Sequence, residues 1–295
     1  MIWACGSHGV VLRSNDDGKT WAHLHIPGAD SLDFRSIQAF GSAIAYVMSI
    51  EPGPRSRIYK TSDAGGHWTL GYTASQAIFL DNLVCSSKTD CTAVSDPVAG
   101  KFLLLHTRDG ITWQELPSTQ MPPALPGEGV FAASGTSLAL SNVDIYFATG
   151  GANPARVFHS SGHGRAWIVS NTPVSSANAS SGIFSIALRG HSAVIVGGDY
   201  KNVTSADHSA AYSLDGGATW SLAKSGPGGF RSAVAFLNNS TVIAVGPSGE
   251  DISRDGGAHW TPAGTLNLNA VAALGAYNIW AVGPKGTIAH LTQAR

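Results

Sequence analysis

One eight-residue phrase recurs along the chain: "SNDDGKTW" ends at Trp21, "TSDAGGHW" at Trp68, "SLDGGATW" at Trp220 and "SRDGGAHW" at Trp260. Two worn copies, "TRDGITW" and "SSGHGRAW", end at Trp113 and Trp167. The six tryptophans are spaced 47, 45, 54, 53 and 40 residues apart. A period in the forties, with short strands between the copies, points to a propeller with four strands to a blade.

The strands alternate with period two and are rich in β-branched residues. In one repeat they read "FRSAVAF", "TVIAVG", "EDISRD" and "WTPAG". The second strand recurs seven times, as "IWACG", "AIAYVMS", "CTAVS", "IYFATG", "AVIVGG", "TVIAVG" and "IWAVG". The expected fold is therefore all-β: a single domain over residues 1–295, a seven-bladed β-propeller of four-stranded antiparallel blades. The terminal blades are expected to be incomplete. Met1 stands just before a second strand, and no fourth strand follows the last third strand. That suggests a piece of a longer secreted precursor.

Each phrase sits at the turn from third to fourth strand. Asp16, Asp63, Asp109, Asp215 and Asp255 have side chains suited to bonding the amides of their own turn. Glycine supplies positive φ there, and Trp21, Trp68, Trp113, Trp167, Trp220 and Trp260 return as apolar plugs. One carboxylate on each of several distant turns makes a poor metal site, so these residues read as scaffold.

With a net charge of −1 and only 13% charged residues, the chain lacks the basic stripe of a nucleic-acid binder. No run of 18 apolar residues spans a membrane, and no signal peptide is visible. Cys85 and Cys91 flank "SSKTD" between two apolar runs, which reads as a hairpin with facing ends. Either they form a disulfide, implying an oxidising compartment, or they are two small buried hydrophobes. Cys5 is expected in the core. The eleven histidines show no metal-ligand spacing, and neither a nucleophile elbow nor a dinucleotide fingerprint is present. No metal or cofactor is expected.

If the repeated turns mark the bottom, the loops at the other end hold the candidate site, since function concentrates on loops held by a rigid scaffold. Arg35, Glu128, Ser181 and Arg231 stand at first-strand starts. Arg57, Arg156, Asp199, Tyr200, Ser248 and Asp251 stand in loops between second and third strands. Arg35, Glu128 and Arg231 are expected to converge at the mouth of a central channel, a default place for a ligand.

The repeated phrase is identified as the Asp-box, or bacterial neuraminidase repeat. It resembles those of sialidases, xyloglucan-cleaving hydrolases, sortilin-like receptors and the photosystem II stability/assembly factor family. Blade number, size and scarcity of insertions are most similar to that last family, and "SRIYKTSD", "SDPVAGKF", "PPALPGEG" and "VGPSG" resemble stretches of its bacterial relatives. The resemblance implies a non-catalytic, extracytoplasmic protein, periplasmic or secreted, that binds a membrane-protein partner through a basic top face. Arg35, Arg57, Arg156 and Arg231 would supply the basic groups, diluted by Glu128 and Asp199. A monomer is expected, with a protein or a carbohydrate as ligand.

The other reading is a sialidase-like hydrolase, in which Arg35, Arg156 and Arg231 clamp a carboxylate while Glu128, Tyr200 and Asp199 carry the chemistry. The chain lacks the Arg-Ile-Pro signature of sialidases, and Asp199 and Tyr200 are adjacent, which does not suit separate roles. A further glycosidase or lyase variant would use Glu128 with Asp199 or Asp251.

Overall fold

In a computed structural model, which describes residues 1–291, the chain forms two compact units, Met1–Thr119 and Gln120–Arg295. Each is built of antiparallel propeller blades, three in the first and four in the second, so the all-β, seven-bladed propeller class holds.

In the first unit, blade 1 contains β1 (Ile2–Cys5), β2 (Val11–Ser14) and β3 (Ala22–Leu24). Blade 2 contains β4 (Asp33–Phe40), β5 (Ile44–Ile50), β6 (Arg57–Thr61) and β7 (Thr69–Thr73). Blade 3 contains β8 (Leu80–Cys85), β9 (Cys91–Val98), β10 (Lys101–Thr107) and β11 (Gln114–Glu115). Cys85 and Cys91 are opposite each other across the β8–β9 hairpin and are joined by a disulfide.

In the second unit, blade 4 contains β12 (Leu138–Ser141), β13 (Asp144–Ala148), β14 (Arg156–Ser161) and β15 (Ala166–Asn171). Blade 5 contains β16 (Ser181–Arg189), β17 (Ser192–Asp199), β18 (Ala210–Ser213) and β19 (Ser221–Leu222). Blade 6 contains β20 (Ala233–Phe236), β21 (Val242–Gly246), β22 (Gly249–Ser253) and β23 (Trp260–Gly264). Blade 7 contains β24 (Ala270–Ala273), β25 (Ile279–Val282) and β26 (Ile288–Leu291). The first and last blades thus have three strands each among the described residues. No helix there is long and apolar enough to cross a membrane.

The repeated turns join third to fourth strands, and their bonding pattern is nearly constant. In blade 5 the Ser213 hydroxyl donates to Asp215 (2.7 Å) and accepts from the Gly217 amide (2.8 Å). Asp215 accepts from the amide (3.0 Å) and hydroxyl (2.6 Å) of Thr219. Those Thr219 bonds, its hydroxyl foremost, hold the Asp215 carboxyl down at about 2. Gly217 has φ +86, a left-handed conformation that side chains resist. In the worn copy of blade 4, Trp167 Nε1 donates to Gly164 O at 3.2 Å.

Four of the turns also tie down the hairpin between the first two strands of their own blades. Ala64 N donates to Ala43 O, His163 N to Val143 O, Gly216 N to His191 O and Gly256 N to Ser240 O, at 2.7–3.0 Å. The tryptophans pack backwards, filling the slot against the preceding blade. Trp68 joins the core of blade 1, Trp113 that of blade 2, Trp220 that of blade 4 and Trp260 that of blade 5.

Serines on or just before inner strands stitch neighbouring blades. Ser36 bonds Asn82 (3.1 Å), Ser185 accepts from the Val234 amide (3.0 Å), and Ser232 donates to Asn269 O (2.7 Å). Three inner strands bulge beside these stitches, at Arg35, Asp81 and Phe184. A bulge re-aims one side chain out of register.

Candidate functional site

The candidate residues lie at the blade ends opposite the repeated turns, but Arg57, Arg156 and Asp251, expected in loops, stand on the third strands β6, β14 and β22, and Asp199 ends the second strand β17. In the first unit, Arg35 lies at the β4 bulge and grips Asp33 with two bonds, Nε to Oδ1 (2.9 Å) and Nη2 to Oδ2 (2.7 Å). Asp33 raises the Arg35 pKa further above its ordinary value. Arg57 donates to Pro54 O (2.7 Å) and to the Tyr59 hydroxyl (3.1 Å) and stays half-buried. The Cys5 thiol, bonded to Phe34 O, is pushed up to about 12 by burial and is chemically quiet.

In the second unit the structure gathers most of the remaining candidates into two buried ion pairs. Glu128 is enclosed: Oε1 accepts from Arg156 Nε (2.8 Å) and the Thr149 hydroxyl (2.6 Å). Its Oε2 pairs with Arg156 Nη2 and accepts from the Leu125 amide (2.8 Å). Arg156 also donates to Pro123 O (3.0 Å) and lies over the Phe158 ring. The sequence reading put Glu128 at the start of a first strand. The structure instead starts that strand, β12, at Leu138, and Glu128 closes the proline-rich loop before it. Pro122, Pro123 and Pro126 lack the amide that ladder pairing requires, so the loop is held by the Glu128–Arg156 clasp.

The second pair is Arg231 with Asp251, Nε to Oδ2 at 2.6 Å and Nη2 on the same oxygen. Arg231 is only 2% exposed. Its Nη1 donates to Phe230 O and to the Ser248 hydroxyl, both at 2.9 Å. The expectation that Arg231 presents its charge to a ligand does not match this burial. A guanidinium entering the interior needs a carboxylate, and Asp251 on β22 supplies it.

Ser181 is buried and closes a turn with Asn178, accepting from its amide and donating to its carbonyl, both at 3.0 Å. Asp199 accepts from the Ser180 hydroxyl (2.7 Å), the Lys201 amide (2.9 Å) and Asn178 Nδ2 (3.1 Å). The Ser180 bond leads in holding its pKa below the usual carboxylate range. Beside it Tyr200 is 46% exposed and stands edge-on to Phe131 and Phe184, which stack at 3.9 Å. Phe230 meets Phe184 edge-on beneath. This aromatic cluster, with Lys201 over the Tyr200 ring, presents Tyr200 to solvent.

Sequence reasoning named Tyr200 but missed Phe131, Phe184 and Phe230. Their convergence depends on glycine: Gly150 and Gly182 bridge backbone to backbone, and a methyl group on Gly150 would collide with Phe131. "GG" at the end of a second strand and "SG" opening a first strand were the available signals.

The family model described as the DUF6242 beta propeller domain matches residues 2–283. No curated protein matches the chain in sequence. Among solved structures, "YCF48 bound to D1 peptide" superposes with a TM-score of 0.66 at 13% identity, covering 99% of this chain and 89% of that one. YCF48 from Cyanidioschyzon merolae gives 0.67 at 16% identity, covering 97% and 89%. BamB from Moraxella catarrhalis gives 0.54 at 9% identity, covering 97% and 92%. At these identities the likeness is one of fold.

Proposed function

This chain belongs to the DUF6242 beta propeller domain family, and on that premise we propose that it is a non-catalytic propeller that binds a protein partner through the loops opposite its Asp-box turns. One observation carries the reading. The carboxylates that a glycosidase would use are consumed by the scaffold, while Tyr200 is displayed on a fixed aromatic shelf. Glu128 has both oxygens engaged by Arg156, so it is neither an open nucleophile nor a proton donor. Asp199, held ionised by its hydrogen bonds, is a poor acid at neutral pH. Exposed, rigidly supported aromatics are what protein interfaces use as anchors. A structural neighbour was solved with a peptide bound, which supports the choice of a protein ligand. The Cys85–Cys91 disulfide supports an extracytoplasmic location.

The reading is tested by retention of host proteins on immobilised wild type and on a Tyr200→Ala, Lys201→Glu variant of equal thermal stability. A polypeptide held by the wild type and lost by the variant is the expected result. Equal retention by both contradicts it.

A further inference from the structure

The fourth strands are the outer edges of the blades, and an uncovered edge offers its amides and carbonyls to any strand that fits. Five of the six described fourth strands are blunted. β3 has three residues, and β11 and β19 have two each. β7 carries an extra residue, Gly71, against β6, and β23 carries Pro262 and an extra Ala263 against β22. β15 has none of these devices. It runs six residues, "AWIVSN", without a charge, a proline or a glycine, and its ladder to β14 has no break in register. Ile168, near its middle, stands 64% exposed.

Bonded pairs alternate with open ones along an antiparallel ladder. The Thr172 amide donates to Ala155 O at 2.9 Å, while Arg156 O accepts from the Thr149 amide, on the side of β14 away from β15. The alternation therefore turns the main-chain groups of Ala166, Ile168 and Ser170 inward to β14. It leaves the amides and carbonyls of Trp167, Val169 and Asn171 pointing out of the sheet edge. Those six groups bond no other element among the described residues. Beyond Asn171 the stretch is closed by Pro173, which has no amide to offer.

We infer that this edge pairs with β15 of a second copy of the chain, antiparallel, about a two-fold axis at Val169. Two four-stranded blades then form one continuous sheet. In that register Val169 faces Val169 of the second copy and Trp167 faces its Asn171, so the outward groups of each copy satisfy those of the other. The axis is perpendicular to the sheet, which puts both Ile168 side chains on one face as diagonal neighbours, about 7–8 Å apart. The exposed isoleucine is thus covered by its own counterpart. The nearest charge along the strand, Arg165, comes no closer than about 27 Å, at strand rise, to Arg165 of the second copy. A different partner would find no charge on this edge to select it, whereas the edge matches itself group for group. The contact is small, so the dimer is weak and depends on concentration. It departs from the monomer expected from the sequence, and it does not rest on the Tyr200 shelf.

The test is the oligomeric state of the full chain, by sedimentation velocity over a concentration series. A monomer–dimer equilibrium is expected. Val169→Pro removes an outward amide and no bond to β14, so it should raise the dissociation constant at least ~30-fold with the melting temperature within about 2 °C of wild type. Ile168→Lys brings two ammonium groups together and should weaken the dimer ~10-fold, an effect that added salt reduces; it carries the test if the proline variant folds poorly. Val169→Cys should give a disulfide-linked dimer on mild oxidation, and Leu70→Cys, on the blunted edge of β7, should not. A protein that stays monomeric at about 0.5 mM, a dimer indifferent to both Val169→Pro and Ile168→Lys, or equal crosslinking from positions 169 and 70 would each overturn the assignment.

Discussion

Arg231 Nε donates to Asp251 Oδ2 at 2.6 Å, tying the loop that leads into β20 to the third strand of the same blade. Both side chains are almost wholly enclosed. A charge expected to face a ligand is thus a fastener for the loops.

The first prediction concerns that fastener. Arg231→Met strands the Asp251 carboxylate, leaving it the Gly228 amide alone (3.3 Å), and should cost about 3–5 kcal/mol. Adding Asp251→Leu to the same protein should recover a large part of the loss, because an unpaired buried charge is worse than none. Urea denaturation of the two singles and the double gives the coupling.

Asp81 supplies a pH prediction. It projects from the β8 bulge, fully buried, and among the described residues only the Asp96 backbone opposes the cost of burying its carboxylate. Burial first, and the Asp96 charge second, push its pKa well above the ordinary value. A raised folded pKa means that the folded state holds a proton which the unfolded chain loses near pH 4. The Asp81 contribution to stability is therefore fullest below pH 4 and is lost as pH rises through the folded value. Asp81→Asn should raise the melting temperature at pH 7 by at least about 2–4 °C and flatten the pH profile. Calorimetry between pH 4 and 8 checks both.

The disulfide closes a loop of sequence separation 6. By the chain-entropy estimate so short a loop contributes about 2 kcal/mol. Cys85→Ser with Cys91→Ser should lower stability by that amount. Matched denaturant curves for oxidised, reduced and double-serine proteins measure it.

The blade count was legible because a turn must satisfy its own backbone locally. Ser213, Asp215 and Gly217 do so within five residues, so the requirement is written as a phrase. The strand pattern was equally local. What escaped was set by register. Asp251 is 20 residues from Arg231 and Arg156 is 28 from Glu128, and which carboxylate meets which arginine follows from which strands adjoin. Loop 116–137 escaped for a related reason: "GEGVF" has the apolar run of a first strand, but its glycines and preceding prolines suit it to a clasp and not to a ladder. The shelf of Phe131, Phe184, Tyr200 and Phe230 draws on three loops and the β16 bulge and had no local signature beyond the glycines that let it close.

The most direct measurement is site-specific photocrosslinking in host cells, with a photoreactive phenylalanine analogue at position 200 and, as control, at Lys19, an exposed residue of a repeated turn. The account predicts one discrete protein adduct from position 200 and none from position 19. The same adducts from both positions, or none from position 200 in a folded protein, would contradict a partner held at the Tyr200 shelf.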